Sequence, residues 1–244
     1  MSKLSNFFKK LLKEKTKLTN SSSGKNFEDK LILMLKKSGF NMVSIGDDKI
    51  IDSYLLKIKP NIQKKLDNKI INNTLYSDTQ NIAYKDFFIW QPYGTQNFPD
   101  FLVFTEFKIF TIESKYSTKN QNKPMWNSNL PKKDSLYIFG CYEKRDITFF
   151  RGEDILPEKE RKIISKIWDE TDMIYKTWEK LFEEKLKTSE IKNEYGFSPY
   201  IRKAYQQTKA KNENAILDFF NNTNRSNIEK QTISFIDDND KTDK

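Results

Sequence analysis

Histidine is missing from all 244 residues. Its absence removes Ser-His-Asp and Cys-His catalysis, His-ligated zinc and the nucleases that depend on histidine. Cysteine is nearly missing as well. Cys141 stands alone inside an apolar run, so the chain can form no internal disulfide and no zinc site made of cysteines. A reducing compartment suits such a chain, and a cytoplasmic location is expected. No apolar run reaches the roughly 18 residues of a membrane span. Met1-Ser2-Lys3-Leu4 lacks the apolar core and small-residue cleavage site of a signal peptide, and no membrane partner is expected. There is no internal repeat.

What is plentiful is charge. Lys and Arg number 43 against 34 Asp and Glu, a formal net charge of +9. A surplus of this size favours a polyanionic partner, although Lys, Asn and Ile are all abundant, as an AT-rich coding sequence alone would produce. The length allows one large domain or a core with appendages.

Residues 3–18 set Leu4, Phe7, Phe8, Leu11 and Leu12 at helical spacing among lysines. Such a basic amphipathic helix can pack on its own domain, lie on a membrane or follow DNA. Residues 19–24 read as a polar linker. A helix follows over 25–38, with Phe27, Leu31, Leu33, Met34 and Leu35 as its apolar face and Gly39 as its stop. Glu28 is read in its first turn, where an acid complements the helix dipole. A short strand or turn is expected near 42–45, then a basic helix over 53–73 interrupted by Pro60. Residues 72–84 form a polar connection. Apolar runs at 87–90, 101–105 and 107–115 read as a three-strand meander, with a loop over 91–97. Residues 116–134 are polar, followed by strands at 135–142 and 147–151. A helix is expected over 157–187 and another over 208–220. The last stretch, 221–244, reads as a polar, flexible tail with a possible short strand at 232–236. The organisation is therefore a helix and linker (1–24), a core (25–152), a helical region for dimer contacts or DNA clamping (153–220) and the tail. The class is α/β, α+β-like in its meander, with a mixed central sheet flanked by helices and a helical C-terminal addition.

The chemistry gathers around Pro99-Asp100 and Glu113-Ser114-Lys115. Side chains alternate along a strand, so Glu113 and Lys115 share a face. Pairing of the two runs brings Asp100 to the same end. Two carboxylates and an ammonium suit a Mg²⁺ ion and phosphodiester hydrolysis, since Mg²⁺ takes hard oxygen ligands and keeps several waters. Asp100, Glu113 and the backbone carbonyl of Ser114 are the candidate ligands. Lys115 is suited to orienting or deprotonating the attacking water, or to stabilising transition-state charge. Other acid-x-Lys triplets occur, at Glu28-Asp29-Lys30 and Asp47-Asp48-Lys49, but only the one at 113 ends a strongly β-type run after a Pro-Asp. The competing reading is a hairpin with a surface salt bridge between Glu113 and Lys115.

Pro99-Asp100 with Glu113-Ser114-Lys115 resembles the PD-(D/E)XK nuclease superfamily over residues 25–150, and within it the type II restriction endonucleases. The resemblance implies the restriction-endonuclease-like fold, Mg²⁺ as cofactor and Asp100, Glu113 and Lys115 as catalytic residues. It also implies a glutamate near the metal from the helix before the sheet, and Glu28 matches by type and order. The implied activity is Mg²⁺-dependent cleavage of double-stranded DNA at a short specific sequence. A homodimer is implied, because two strands must be cut and each chain carries one centre, and so is a DNA methyltransferase encoded nearby. Alternatives are a structure-specific nuclease acting on Holliday junctions or in repair, and a DNA-binding protein that keeps only the fold.

Three segments are candidates for DNA contact, because Lys, Arg, Asn and Gln read base edges and phosphates. Lys119, Asn120, Gln121, Asn122, Lys123, Asn127 and Asn129 follow the catalytic strand. Tyr93, Gln96 and Asn97 precede Asp100. Arg202 and Lys203 lie in the C-terminal part. Each segment also fits an ordinary polar loop.

Overall fold

Residues 87–117 form the centre of a seven-stranded mixed sheet in the computed structural model. The structure describes residues 2–63, 66–75, 84–127, 130–188, 204–205, 207 and 215–241. The meander consists of β3 (Phe87–Trp90), β4 (Phe101–Phe104) and β5 (Lys108–Ser117), each antiparallel to the next. Around them stand β1 (Asn41–Met42), β2 (Ile71–Asn72), β7 (Leu136–Cys141) and β8 (Asp146–Arg151). The order is β1-β3-β4-β5-β7-β8, with β1 parallel to β3 and β7 parallel to β5. β2 pairs with the start of β5, on the edge that β7 occupies from Ile112 onward. A separate pair joins β6 (Trp126–Asn127) to β9 (Ala204–Tyr205).

The strands are apolar on both faces because both faces are covered. Phe88, Phe101, Val103, Phe110 and Ile112 point to one core with Leu4, Phe7, Phe8, Leu11, Leu18, Phe27 and Leu31. These last come from α1 (Lys3–Lys13), α2 (Lys15–Thr19) and α3 (Gly24–Lys37). Phe87, Ile89, Leu102, Phe104 and Ile109 point to the other, with α4 (Lys49–Gln63), Trp126, Phe219 and Phe220. The N-terminal basic helix thus packs on its own domain: Leu4, Phe7, Phe8 and Leu11 are fully buried.

Helix α3 ends as its sequence predicts. Gly39 takes φ +94°, Gly39 N–H donates to Lys36 O and Phe40 N–H donates to Leu35 O. It begins at Gly24 under the Ser23 hydroxyl, and its first turn holds no acid. Glu28 lies beyond that turn, so the dipole reading of Glu28 does not apply.

Other expectations are corrected. The helix expected over 53–73 is α4, which starts four residues earlier, at Lys49, where the Asp48 carboxylate accepts from Ile50 and Ile51 N–H, and stops three residues after Pro60. Proline supplies no N–H to the helix ladder. Ile71 and Asn72, assigned to that helix, belong to β2. Of the helix expected over 208–220, residues 215–220 are irregular, with Ile216, Phe219 and Phe220 anchored in the core; 208–214 lie outside the described residues.

The tail expected over 221–244, with a strand at 232–236, is α7 (Arg225–Asn239). Ile228, Thr232 and Ile236 recur every four residues and are buried, which is helical spacing. Arg225 locks the helix to β8 through Asp146, at 2.6 and 3.0 Å, and pairs with Glu229 at 2.8 Å. Between them, α5 (Gly152–Ile155) leads to α6 (Glu158–Thr188). Among the described residues no helix is long and apolar enough to cross a membrane.

Candidate active site

Phe101 pairs with Ile112 across β4 and β5, so the next residues outward, Asp100 and Glu113, face each other. The Asp100 N–H donates to Glu113 Oε2 at 3.2 Å. Ser114 donates to Asp100 Oδ2 twice, from its N–H at 2.7 Å and from its hydroxyl at 2.8 Å. Lys115 Nζ donates to Glu113 Oε1 at 2.8 Å. These two side chains are 15% and 10% exposed, which sets the pair apart from an ordinary surface salt bridge.

Glu28 reaches the same point from α3. The helix is held over the sheet by Phe27, whose ring stacks on Tyr116 at 4.6 Å. The ring also fills the space over Gly140, where a Cβ would stand 2.9 Å from it. Glu28 Oε1 then lies 3.3 Å from the Ser114 hydroxyl, and Oε2 accepts from Trp90 Nε1 at 3.0 Å. The hydroxyl has one proton and serves one of its two carboxylates at a time.

The electrostatics follow from crowding. Burial, and then the charges of Glu113 and Glu28, raise the Asp100 carboxyl to about 7. Burial raises Glu28 as well, against the hydrogen bonds from Trp90 and Ser114. For Lys115 burial works against the ammonium, but Glu113, Asp100 and Glu28 outweigh it and hold the pKa above its usual value. In this arrangement, with the carboxylates bare of metal, Lys115 is held as an ammonium.

A divalent cation fits this donor set chemically. Glu113 is bonded to the Lys115 ammonium, the charges of Asp100 and Glu28 act on it as well, and hard oxygens are what Mg²⁺ prefers. Among the described residues no group of three or more Asp, Glu, His or Cys side chains already stands at metal-holding spacing. Glu113 Oε1 is held by Lys115.

Asp100 makes a pH prediction. Its folded pKa of about 7 lies above the ordinary 3.8. Between these values the unfolded chain has released the proton and the folded chain keeps it, so stability falls as pH rises through the window. Asp100→Asn should flatten that slope and melt higher than the wild type above pH 7 when no divalent metal is present. Calorimetry in a chelator checks this; parallel profiles for the two proteins would refute it.

The expected DNA contacts divide into several groups. Gln121 lines, with Glu28, Ser114 and Lys115, a cavity of about 230 Å³ beside the carboxylates. A larger cavity of about 630 Å³ takes in Asn120, Gln121, Asn122 and Lys123 with Tyr205 and Gln207. The two share Gln121, Pro124 and Met125, so this segment forms a groove leading away from the cluster. Lys119 is exposed just before it. Gln96 and Asn97 are exposed in the turn ahead of Asp100. Tyr93 is half-buried, with its hydroxyl on Leu55 O at 3.2 Å and Lys59 over its ring. Asn129, Arg202, Lys203 and the side chain of Asn127 lie outside the described residues.

Sequence reasoning missed four participants. Trp90 and Gln91 hold Glu28, and the Ser114 side chain links Asp100 to Glu28. The fourth is Lys132, which is 2% exposed. Its ammonium donates to Gln63 O at 2.7 Å and lies 5.0 Å from the Phe98 ring centre. Burial lowers its pKa to about 8, with Glu113 acting in opposition. Lys132 thereby supports the Phe98-Pro99 turn that delivers Asp100. Only Trp90, at the end of a strand beside the Pro-Asp loop, carried a usable signal.

No protein-family model, curated protein or solved structure matches the chain.

Proposed function

We propose that the chain is a Mg²⁺-dependent nuclease of the PD-(D/E)XK kind, acting on double-stranded DNA as a type II restriction endonuclease. One observation carries the reading: Glu28, Asp100, Glu113 and Lys115, drawn from three elements, converge at one end of the β3–β5 meander. The crowding that lifts Asp100 to about 7 marks a site built to receive positive charge.

Asp100 and Glu113 would hold the ion, with the Ser114 carbonyl as a further ligand. Bound there, Mg²⁺ supplies Lewis-acid activation of the phosphate and a more acidic water. The chain's own groups do the rest. Lys115, bonded to Glu113, would place its ammonium beside the phosphate as negative charge develops. The Ser114 N–H and hydroxyl fix the Asp100 carboxylate. Trp90 and Gln91 fix Glu28 in the same way. The groove of Asn120–Lys123 offers amides and a lysine to bases and phosphates next to the scissile bond. The net charge of +9 favours DNA at any sequence.

The test is a digest of mixed genomic DNA with Mg²⁺, beside a chelator control. Discrete, reproducible fragments are expected. Cleavage confined to four-way junctions would replace the restriction reading with a structure-specific one. Binding without any cleavage would leave only a DNA-binding protein.

A further inference from the structure

The longest helix, α6, spans 31 residues, yet the one buried residue described along it is Arg161. Ile163, Ile167, Ile174, Trp178 and Leu181 are 56, 54, 67, 48 and 49% exposed. At 100° per residue they fall within about 60° of arc. A helix that docks on its own domain buries such a stripe, as α1 does. The adjoining side of α6 is already engaged, with Trp168 packed on Tyr205 at 5.4 Å.

The spacing identifies the occupant. Ile167, Ile174 and Leu181 recur every seventh residue, and Trp178 falls four after Ile174 and three before Leu181. That 3.5-residue period belongs to helices that pair along their length. Three of the five are symmetric about Ile174, with Ile167 seven residues before and Leu181 seven after, while Ile163 and Trp178 have Lys185 and Glu170 as their equivalents. A two-fold axis at Ile174 sets it against its own equivalent and sets Ile167 against Leu181, the self-complementary condition of a two-fold interface. Met173 and Phe182, 70 and 37% exposed, extend the apolar surface on either margin of the stripe.

We propose that α6 is a dimerisation helix that pairs antiparallel with α6 of a second copy, centred on Ile174. The pairing gives one assembly two carboxylate clusters. It requires neither DNA nor metal, so its test stands apart from that of the nuclease reading.

Sedimentation of the full chain at micromolar concentration should give the mass of a dimer. Ile174→Glu brings two carboxylates together in an apolar seam and should weaken the dimer about a hundred-fold or more. Its circular dichroism should remain that of the folded chain, because the side chain is mostly exposed, and its melting should lose the concentration dependence that dimerisation gives the wild type. Under mild oxidation, Ile167→Cys mixed with Leu181→Cys should cross-link between chains, while neither variant cross-links to itself; Cys141 is buried and stays out of the reaction. A monomeric wild type, or a dimer indifferent to Ile174→Glu, would overturn the proposal. Self-cross-linking of Ile167→Cys would overturn the antiparallel arrangement.

Discussion

Lys115→Ala should reduce Mg²⁺-supported cleavage about a thousand-fold or more while changing DNA affinity by only a few-fold. The cause lies in the position of the ammonium. It is the cation bonded within the Glu28–Asp100–Glu113 cluster, and its pKa is held up by all three acids. Removing it takes away the positive charge beside the phosphate and leaves Glu113 buried without that partner. On the proposed reading DNA affinity would rest instead on the distributed surplus of lysine and arginine, so one buried ammonium would count for little there. Lys115→Arg should not restore cutting, because a planar guanidinium does not reproduce the reach of a point charge in a packed site. Asp100→Ala should be equally inactive. Cleavage assays beside gel shifts in a chelator separate the two effects, with melting curves to show that the variants fold. A Lys115→Ala protein within ten-fold of wild type would remove this residue from the chemistry.

Gly152→Ala should be the most damaging of the glycine-to-alanine substitutions for stability. An added Cβ would stand 1.8 Å from the Lys132 carbonyl oxygen and 2.5 Å from its carbon. These are backbone atoms, which cannot swing aside as a side chain can. The backbone around them is tied on both sides: Gly152 N–H donates to Ser135 O, Glu153 N–H to Lys133 O and Lys133 N–H to Leu66 O. A cost on the order of 3–5 kcal/mol is expected, set against a total stability of about 5–15 kcal/mol for a typical domain. Gly24→Ala is the control, since nothing lies within 4 Å of its Cβ position. Urea unfolding of the two variants should differ sharply in midpoint; equal midpoints would show that the Lys132 backbone can yield. Because Lys132 also supports the turn before Asp100, any Gly152→Ala protein that does fold should have lost activity as well.

The meander was legible because alternation and length act locally. Two apolar runs joined by a short connection can pair in few ways, and the pairing that buries both sets the level of Asp100 and Glu113. The same argument places Lys115 beside Glu113. Glu28 was legible only as an acid on a preceding helix. What holds it is Trp90, 62 positions away in the chain, and no local pattern announces that contact. Lys132 was invisible for the same reason: between Pro131 and Lys133 it reads as a solvated loop lysine, and it is buried because Phe98 and Gln63 meet it from distant elements. Helix α7 was misread because few of its residues are apolar. Its order depends on Arg225 reaching Asp146, 79 positions earlier, and composition does not register such a bond.

That Arg225 contact has a consequence for how the protein behaves in a crowded solution. β8 is the last strand of its sheet, and a bare last strand is a template on which another chain can add. Here the Ile147 N–H is taken by its neighbour Asp146 at 2.9 Å, and the Ile147 carbonyl by Arg225 at 2.6 Å. Thr148 is bonded through its hydroxyl to Glu229. At Ile147 this edge is thus covered by its own Asp146 and by Arg225 of a helix with little apolar surface. Loosening that helix would free a strand for intermolecular aggregation before it unfolded the core.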